Sequence, residues 1–335
     1  MDSNINETMF CFPIALEWTI AEERLKALKD LNENEFLESE RFTAIHSSDV
    51  KYFLRIYPNG NNVANRGKTW TLYFLDLGKE IKIEAEYQFS IKSANWIFKS
   101  NRVFKEFDGW GPTCCTTDEL FDPRKKFIVD GKFTLKLEGI LKIKKVETNN
   151  EMGFLQTKLK WINNLWNIGF EDFTIVTSDG KELKVHKNIL AAQSPVFAAM
   201  FKPHTKEAME GKAEIPDFSF KIVEKSIKLC YNHDFDPDTS IDESFVLFKF
   251  AEKYDIQLLK DDIQDYLADK IDISNLCEIA QRAIDENAVK LRNKCMDSLS
   301  SFLSKKKFVP NMEVLDKTFF IAAIKNSSCH TCETL

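Results

Sequence analysis

Between Ile81 and Lys92 apolar and polar residues alternate without interruption. A period of two over this length predicts a strand with one buried and one exposed face. Shorter alternating runs at 52–57, 70–77 and 133–138 are bounded by turn residues such as Pro58-Asn59-Gly60. Several short strands separated by turns are typical of an antiparallel β-sandwich, with residues 21–38 as a short helical or irregular insertion. The apolar face of the longest run is expected to comprise Ile81, Ile83, Ala85, Tyr87, Phe89 and Ile91.

The period changes in the second half of the chain. Leu276, Ile279, Ala280 and Ala283 follow the i, i+3, i+4, i+7 spacing of a helix with one buried stripe, and residues 247–254 repeat the pattern. Before them, residues 173–177 and 181–186 flank Ser178-Asp179-Gly180 as a hairpin would. This half is expected to be a small sheet covered by helices, and hence an α/β domain.

The join between the halves carries a narrow apolar stripe. Leu155, Leu159, Ile162 and Trp166 lie one or two helical turns apart, which predicts a short linker helix. Either its own domain or a second copy of the chain covers that stripe.

Composition limits the classes of function. The 335 residues carry 46 Lys and Arg against 52 Asp and Glu, and a net charge of −6 argues against nucleic acid as the main partner. Neither a signal peptide nor a membrane-spanning segment is expected, because a basic start and a long apolar run are both lacking. The eight cysteines are then expected to be thiols in the cytoplasm or nucleus of a protein that is not secreted.

Four segments of the first half resemble the landmarks of a MATH domain, and two of the second half resemble a BTB (POZ) domain. The MATH-like segments are Leu16–Ile20, Leu54–Gly60, Tyr87–Ser90 and Gly109–Gly111. The BTB-like segments are Phe170–Thr174 and His186–Phe201. In this order they resemble the MATH–BTB (speckle-type POZ protein-like) family of cullin-3 substrate adaptors.

The resemblance implies a domain plan and a function. A TRAF-like MATH sandwich is expected at 10–147, a linker helix at 148–168, a BTB domain at 169–270, and a BACK-like helical extension with a flexible tail at 271–335. MATH would bind a Ser/Thr-rich peptide of a target protein, and BTB would dimerise and dock on cullin-3 for target ubiquitination and degradation. Such an adaptor is not an enzyme and uses no cofactor. The alternatives are a ligase-independent dimeric scaffold and a transcriptional regulator.

The resemblance also selects residues for peptide binding. Aromatic rings supply rigid apolar contact, and arginine supplies several donors. For Tyr73 and Tyr87 a place in the core is an equal alternative, and Pro112 stands where the family has an aromatic residue, so the peptide specificity is expected to differ. The residues matching the family groove are Arg55, Tyr73, Tyr87, Phe104, Trp110 and Gly111.

Cullin docking in the family uses a hydrophobic-x-Glu motif, and Thr205-Lys206-Glu207 occupies its place. Thr205 offers one methyl group where the partner expects a larger side chain, so docking is expected to weaken by roughly 1–3 kcal/mol. Met209 is a substitute anchor if the loop shifts. Docking is either retained in this weaker form or lost.

The resemblance places the dimer interface on the stripe before the BTB core. Intramolecular packing of the same stripe is the alternative. The interface residues implied are Leu155, Leu159, Ile162, Leu165, Trp166 and Ile189.

Two metal-like motifs are set aside. The Asp-x-Asp-x-Asp run from Asp234 to Asp238 lacks the glycine and the final glutamate of a calcium loop. Cys329-His330-Thr331-Cys332 supplies at most three ligands without a second pair, so it is interpreted as a frayed tail and no metal site is expected.

Overall fold

The two periodicities of the sequence correspond to two compact units. The computed structural model describes residues 8–31, 34–145, 166–232 and 235–335. Residues 1–147 together with 296–335 form one unit, here called the β unit, and residues 148–295 form the other, the α/β unit. The predicted fold class, an antiparallel β-sandwich followed by an α/β domain with further helices, is confirmed.

The N-terminal part of the β unit is built almost entirely of strands. In the described stretches 8–31 and 34–145, two short α-helices interrupt the strands, one directly after the first strand and one after the ninth. Its elements are β1 (Thr8–Ala21), α1 (Glu22–Lys29), β2 (Leu37–Glu38), β3 (Phe42–Ile45), β4 (Val50–Tyr57), β5 (Lys68–Asp76), β6 (Ile83–Ile91), β7 (Trp96–Phe104), β8 (Asp108–Trp110), β9 (Thr113–Thr116), α2 (Thr117–Phe121), β10 (Ile128–Val129) and β11 (Lys132–Lys145).

The α/β unit has a three-stranded sheet and a series of helices. In the sheet, the central strand β12 is antiparallel to β13 and parallel to β14. Its elements are β12 (Phe173–Thr177), β13 (Glu182–Val185), α3 (Lys187–Gln193), α4 (Pro195–Met200), α5 (Lys206–Glu210), β14 (Lys212–Ile215), α6 (Phe220–Asn232), α7 (Ile241–Lys253), α8 (Gln257–Asp269) and α9 (Leu276–Asp285). The next helix, α10 (Val289–Ser304), contains the boundary between the two units.

Local sequence explains where several of these helices begin. Ser194 caps α4 by accepting a hydrogen bond from the Phe197 amide, and Pro195 takes the first helical position, where no amide donor is needed. Ser240 caps α7 in the same way. The predicted stripe of α9 is buried as expected from its spacing.

The chain returns to the β unit at its C-terminal end. Helix α11 (Lys317–Ser327) is followed by strand β15 (His330–Thr334), which pairs in parallel with β1. The prediction of a frayed, flexible tail is wrong for residues 330–334. A short polar segment gives no local signal for a strand whose hydrogen-bond partners lie more than 300 residues away.

Among the described residues, two six-stranded sheets make up the sandwich. One runs β15-β1-β11-β6-β7 with β10 beside β11, and the other runs β2-β4-β5-β8 with β3 beside β4 and β9 beside β5. Side chains from both sheets belong to one hydrophobic core.

The alternation in the longest run specifies the buried face of β6. Ile83, Ala85, Tyr87, Phe89 and Ile91 are all buried, as predicted, and β6 pairs with β11 and β7 on its two sides. Ile81, which the alternation also placed on this face, does not belong to the strand, because β6 begins at Ile83.

Candidate binding surfaces

The six residues predicted to bind a peptide do not share one face. The register of β4 and β5 places Leu54 opposite Tyr73 and Arg55 opposite Leu72. Because successive side chains of a strand point to opposite faces, Arg55 and Tyr73 lie on opposite faces of their sheet. The predicted groove is therefore divided between the core side and the outer side.

Three of the predicted groove residues lie in the core. Tyr73, Tyr87 and Phe104 are 0%, 4% and 1% exposed. The ring of Tyr73 is centred 5.1 Å from that of Tyr87 and 5.8 Å from that of Phe104. For the two tyrosines the core alternative describes these positions, and Phe104, matched to the same groove, is buried as well because β7 directs its last side chain inward.

Burial has an electrostatic consequence for these tyrosines. Loss of solvent raises the pKa of Tyr73 well above its ordinary value and also raises the pKa of Tyr87. Within the described part of the chain, the buried hydroxyl of Tyr73 has no hydrogen-bond partner. Tyr73 lies opposite Trp110 in the ladder between β5 and β8, so the two side chains extend from the same face of the sheet.

Trp110 is the predicted groove residue that is accessible. Its side chain is 45% exposed, and the guanidinium carbon of Arg102 lies 4.2 Å from the ring centroid. Arg102 in turn donates to the carboxylate of Asp108 at 2.6 Å. Arg102 was not predicted to belong to a binding surface. Its position two residues before Phe104 on β7 places both side chains on the same face of that strand. We call Arg102, Asp108 and Trp110 the tryptophan edge.

Arg55 belongs to a separate cluster on the outer face. Its guanidinium lies 4.0 Å from the ring centroid of Phe36 and 4.4 Å from that of Phe74. It donates to Glu38 at 2.7 Å and to the Tyr57 hydroxyl at 3.1 Å. Most of its donors are directed within the unit.

Gly111 has a structural reason to be glycine. A Cβ at this position would lie 1.9 Å from the carbonyl oxygen of Thr71. The next residue, Pro112, accepts a hydrogen bond from the Thr71 amide at 3.1 Å. Gly111 therefore allows the chain after Trp110 to approach β5 closely.

The α/β unit contains an open, largely apolar cavity of about 490 Å³. It lies where α4 ends and α5 begins, so it includes both residues of the predicted cullin contact. Its lining residues are Pro195, Val196, Ala199, Met200, Thr205 and Glu207. Apart from Thr205 and Glu207, these residues were not predicted as a docking surface.

Thr205 acts as the N-cap of α5. Its hydroxyl accepts from the Ala208 amide at 3.2 Å and donates toward the carbonyl oxygens of Met200 and Lys202. A threonine at this position therefore stabilises the helix start and presents only a methyl group to the cavity. Met209, the suggested substitute anchor, is 72% exposed on the same short helix.

Four of the six predicted dimer residues precede residue 166, where the described part of the α/β unit begins. Leu155, Leu159, Ile162 and Leu165 lie outside the described residues, as does the rest of the linker helix up to residue 165. Ile189 is half-buried on α3. Trp166 packs edge-on against Tyr231 with ring centroids 5.1 Å apart, which matches the intramolecular alternative at that position.

His186 joins two parts of the α/β unit through both nitrogens of its ring. Its Nδ1 lies 2.9 Å from the Tyr231 hydroxyl, and its Nε2 lies 2.7 Å from the carbonyl oxygen of Gly169. The first contact joins the turn before α3 to helix α6, and the second joins it to the segment before β12.

The described residues hold neither a metal-binding cluster nor a membrane-spanning helix. No group of three or more His, Cys, Asp or Glu side chains in 8–31, 34–145, 166–232 and 235–335 is placed to hold a metal ion. Within the same ranges, none of the helices combines the length and apolarity needed to cross a bilayer.

These features define a class of protein. The α/β unit has a small sheet with a helical cover and an open apolar cavity, and the β unit is a sandwich with an exposed aromatic edge. Residues 162–271 match the family model of the BTB/POZ domain. The chain thus contains a BTB/POZ domain, which supports a protein-binding or adaptor role.

Proposed function

We propose that the chain is a dimeric substrate adaptor of a cullin-3 ubiquitin ligase. In this proposal the β unit is a MATH-like domain that binds target proteins, and the BTB/POZ domain docks on cullin-3. The adaptor itself forms and breaks no covalent bond. The observation that carries the proposal is the cavity in the BTB/POZ domain, because it is lined by the Thr205 and Glu207 side chains that resemble the family's cullin contact.

The cavity suits an apolar side chain of the partner. Val196, Ala199 and Met200 supply apolar walls, and the half-buried Glu207 supplies a charged rim. A partner side chain entering it would gain hydrophobic energy, and the carboxylate would fix its register through a hydrogen bond. The Thr205 methyl contributes less contact than a larger apolar residue, so the docking should be of moderate affinity.

We assign target binding to the tryptophan edge. β7 pairs with β6 alone among the described strands, so its other edge is open to an extended peptide. Trp110 offers an aromatic contact, and Arg102 and Asp108 offer a donor and an acceptor to a Ser/Thr-rich segment.

Dimerisation would strengthen such binding. Two target sites on one dimer raise avidity by roughly 10²–10⁴ when a target carries two motifs. Light scattering of the full chain is expected to give twice the 38.8 kDa of one copy. A stable monomer at working concentrations contradicts the dimeric part of the proposal.

The docking test compares two acidic residues of one helix. Glu207→Ala is expected to weaken binding to the N-terminal part of cullin-3, because Glu207 lines the cavity. Glu210→Ala is the matched control, since Glu210 is exposed on the same helix and does not line the cavity. No binding by the unaltered chain, or equal effects of both substitutions, contradicts cullin docking.

A ligase-independent scaffold is the second candidate. It is favoured by one observation, the use of Thr205 as a helix cap in place of an apolar anchor. Affinity purification followed by mass spectrometry separates the two candidates. Targets recovered without cullin, and lost with Trp110→Ala, would decide for the scaffold.

A further inference from the structure

The C-terminal strand β15 occupies an edge of the sandwich that would otherwise be open. Residues Leu16–Ile20 of β1 pair in parallel with His330–Thr334, while the other side of β1 pairs with β11 along its whole length. The β1 edge therefore binds an extended segment of chain distant from it in sequence. It is separate from the tryptophan edge, which involves β7 and β8 at the far ends of the two sheets.

Alternate residues of β15 contact the rest of the β unit. The imidazole of His330 stacks on Phe42 with ring centroids 4.5 Å apart. Cys332 is buried in the shared core beside Trp18. The intervening Thr331 is exposed, as expected for a strand with one buried face.

The last contact is a specific hydrogen bond. The indole nitrogen of the fully buried Trp18 donates to the hydroxyl of Thr334 at 2.9 Å. Without an acceptor at that place, the buried indole N–H group would lose this hydrogen bond, which is unfavourable in a low-dielectric core. The β1 edge thus favours a hydroxyl residue at the position of Thr334, four residues after a planar ring at the position of His330.

Several features make β15 a replaceable occupant. It is a five-residue segment, it uses parallel pairing, and only its central residue is fully buried. It follows exposed Ser328 and Cys329. Short segments with few buried contacts open at low free-energy cost compared with the core of a domain.

We propose that the β1 edge is a second peptide-binding site, and that β15 is its resident occupant. The partner it fits is an extended segment of another protein, bound parallel to β1. That segment has an imidazole or aromatic ring first, a small apolar side chain two residues later, and Ser or Thr two residues after that. Such a segment binds when β15 is released. The proposal does not depend on cullin docking or on the tryptophan edge.

The test uses the full chain and a fluorescein-labelled synthetic peptide of residues 328–335. Cys332→Asp in the chain places a charge in the core and weakens the resident strand, whereas Thr331→Asp places the same charge on the exposed side of that strand. The peptide can bind only to the fraction of molecules in which β15 is released, so its apparent affinity is proportional to that fraction. Because Cys332→Asp raises this fraction, the Cys332→Asp chain should bind the peptide on the order of tenfold more tightly than the unaltered chain. The Thr331→Asp chain should match the unaltered chain.

A second variant guards against misfolding of the first. Thr334→Val keeps the volume of the side chain and removes the acceptor for Trp18, and it should also increase peptide binding several-fold. A labelled peptide with Asp at the position of Cys332 should bind none of the chains. The proposal is overturned if a folded Cys332→Asp or Thr334→Val chain binds the natural peptide no better than the unaltered chain does.

Discussion

Replacing Thr205 by leucine separates the two roles of this side chain. The hydroxyl caps α5 through the Ala208 amide, and its loss should lower the free energy of unfolding by about 1 kcal/mol. Leucine adds about two methyl-sized groups at the cavity, each worth ~0.8 kcal/mol when buried against a partner. Thr205→Leu should therefore bind cullin-3 roughly tenfold more tightly while unfolding at a temperature a few degrees lower.

Calorimetric titration with the N-terminal part of cullin-3, together with thermal unfolding, measures both effects. Thr205→Ser is the matched control, because it keeps the cap and removes only the methyl group. Its unfolding temperature should stay close to that of the unaltered chain while its affinity falls a few-fold. The reasoning is refuted if leucine leaves the affinity unchanged or lowers it, or if serine binds as well as threonine.

Three further predictions concern the β unit. Asp297→Ala should lower the free energy of unfolding by roughly 3 kcal/mol in urea denaturation, because its buried carboxylate accepts two backbone amides, and Asp297→Asn should lose about half as much. Burial, and secondarily the neighbouring charge of His46, lowers the pKa of His330 in the folded chain. As the pH falls, the imidazole of residue 330 is therefore protonated in the unfolded chain before it is protonated in the folded chain. The stability from His330 should thus be complete above about pH 6.5 and decline as the pH falls, and His330→Phe should remove that part of the decline in melting experiments. Gly111→Ala should lower the unfolding temperature, since its Cβ would meet the Thr71 carbonyl oxygen at 1.9 Å; an unchanged temperature would contradict the close approach.

Sequence patterns were sufficient where burial is repeated at a fixed interval. The alternation in β6 and the helical stripe of α9 each specify a buried face without knowledge of a partner, and both are confirmed. Capping residues such as Ser194 also act locally, through amides a few residues away. These interactions depend on residues near in the chain, so their signal is present in the sequence.

The candidate sites were less accessible to sequence patterns. The burial of Tyr73 and Phe104 depends on the opposite sheet, which no local pattern describes. The contact of Arg102 with Trp110 likewise joins the ends of two sheets. Resemblance to a family selected positions along the strands, whereas the register of the strands decided which face each position occupies.

What the sequence determined by itself was the division into a β-rich half and an α/β half, together with the buried faces of their regular elements. Only the tertiary structure decided that residues 330–334 complete the sheet of β1, that Thr205 is a helix cap, and that a cavity lies beside it. The physical reason is the range of the interactions. Periodic burial and capping act over one or two turns, while strand pairing and cavities depend on chain segments brought together by folding.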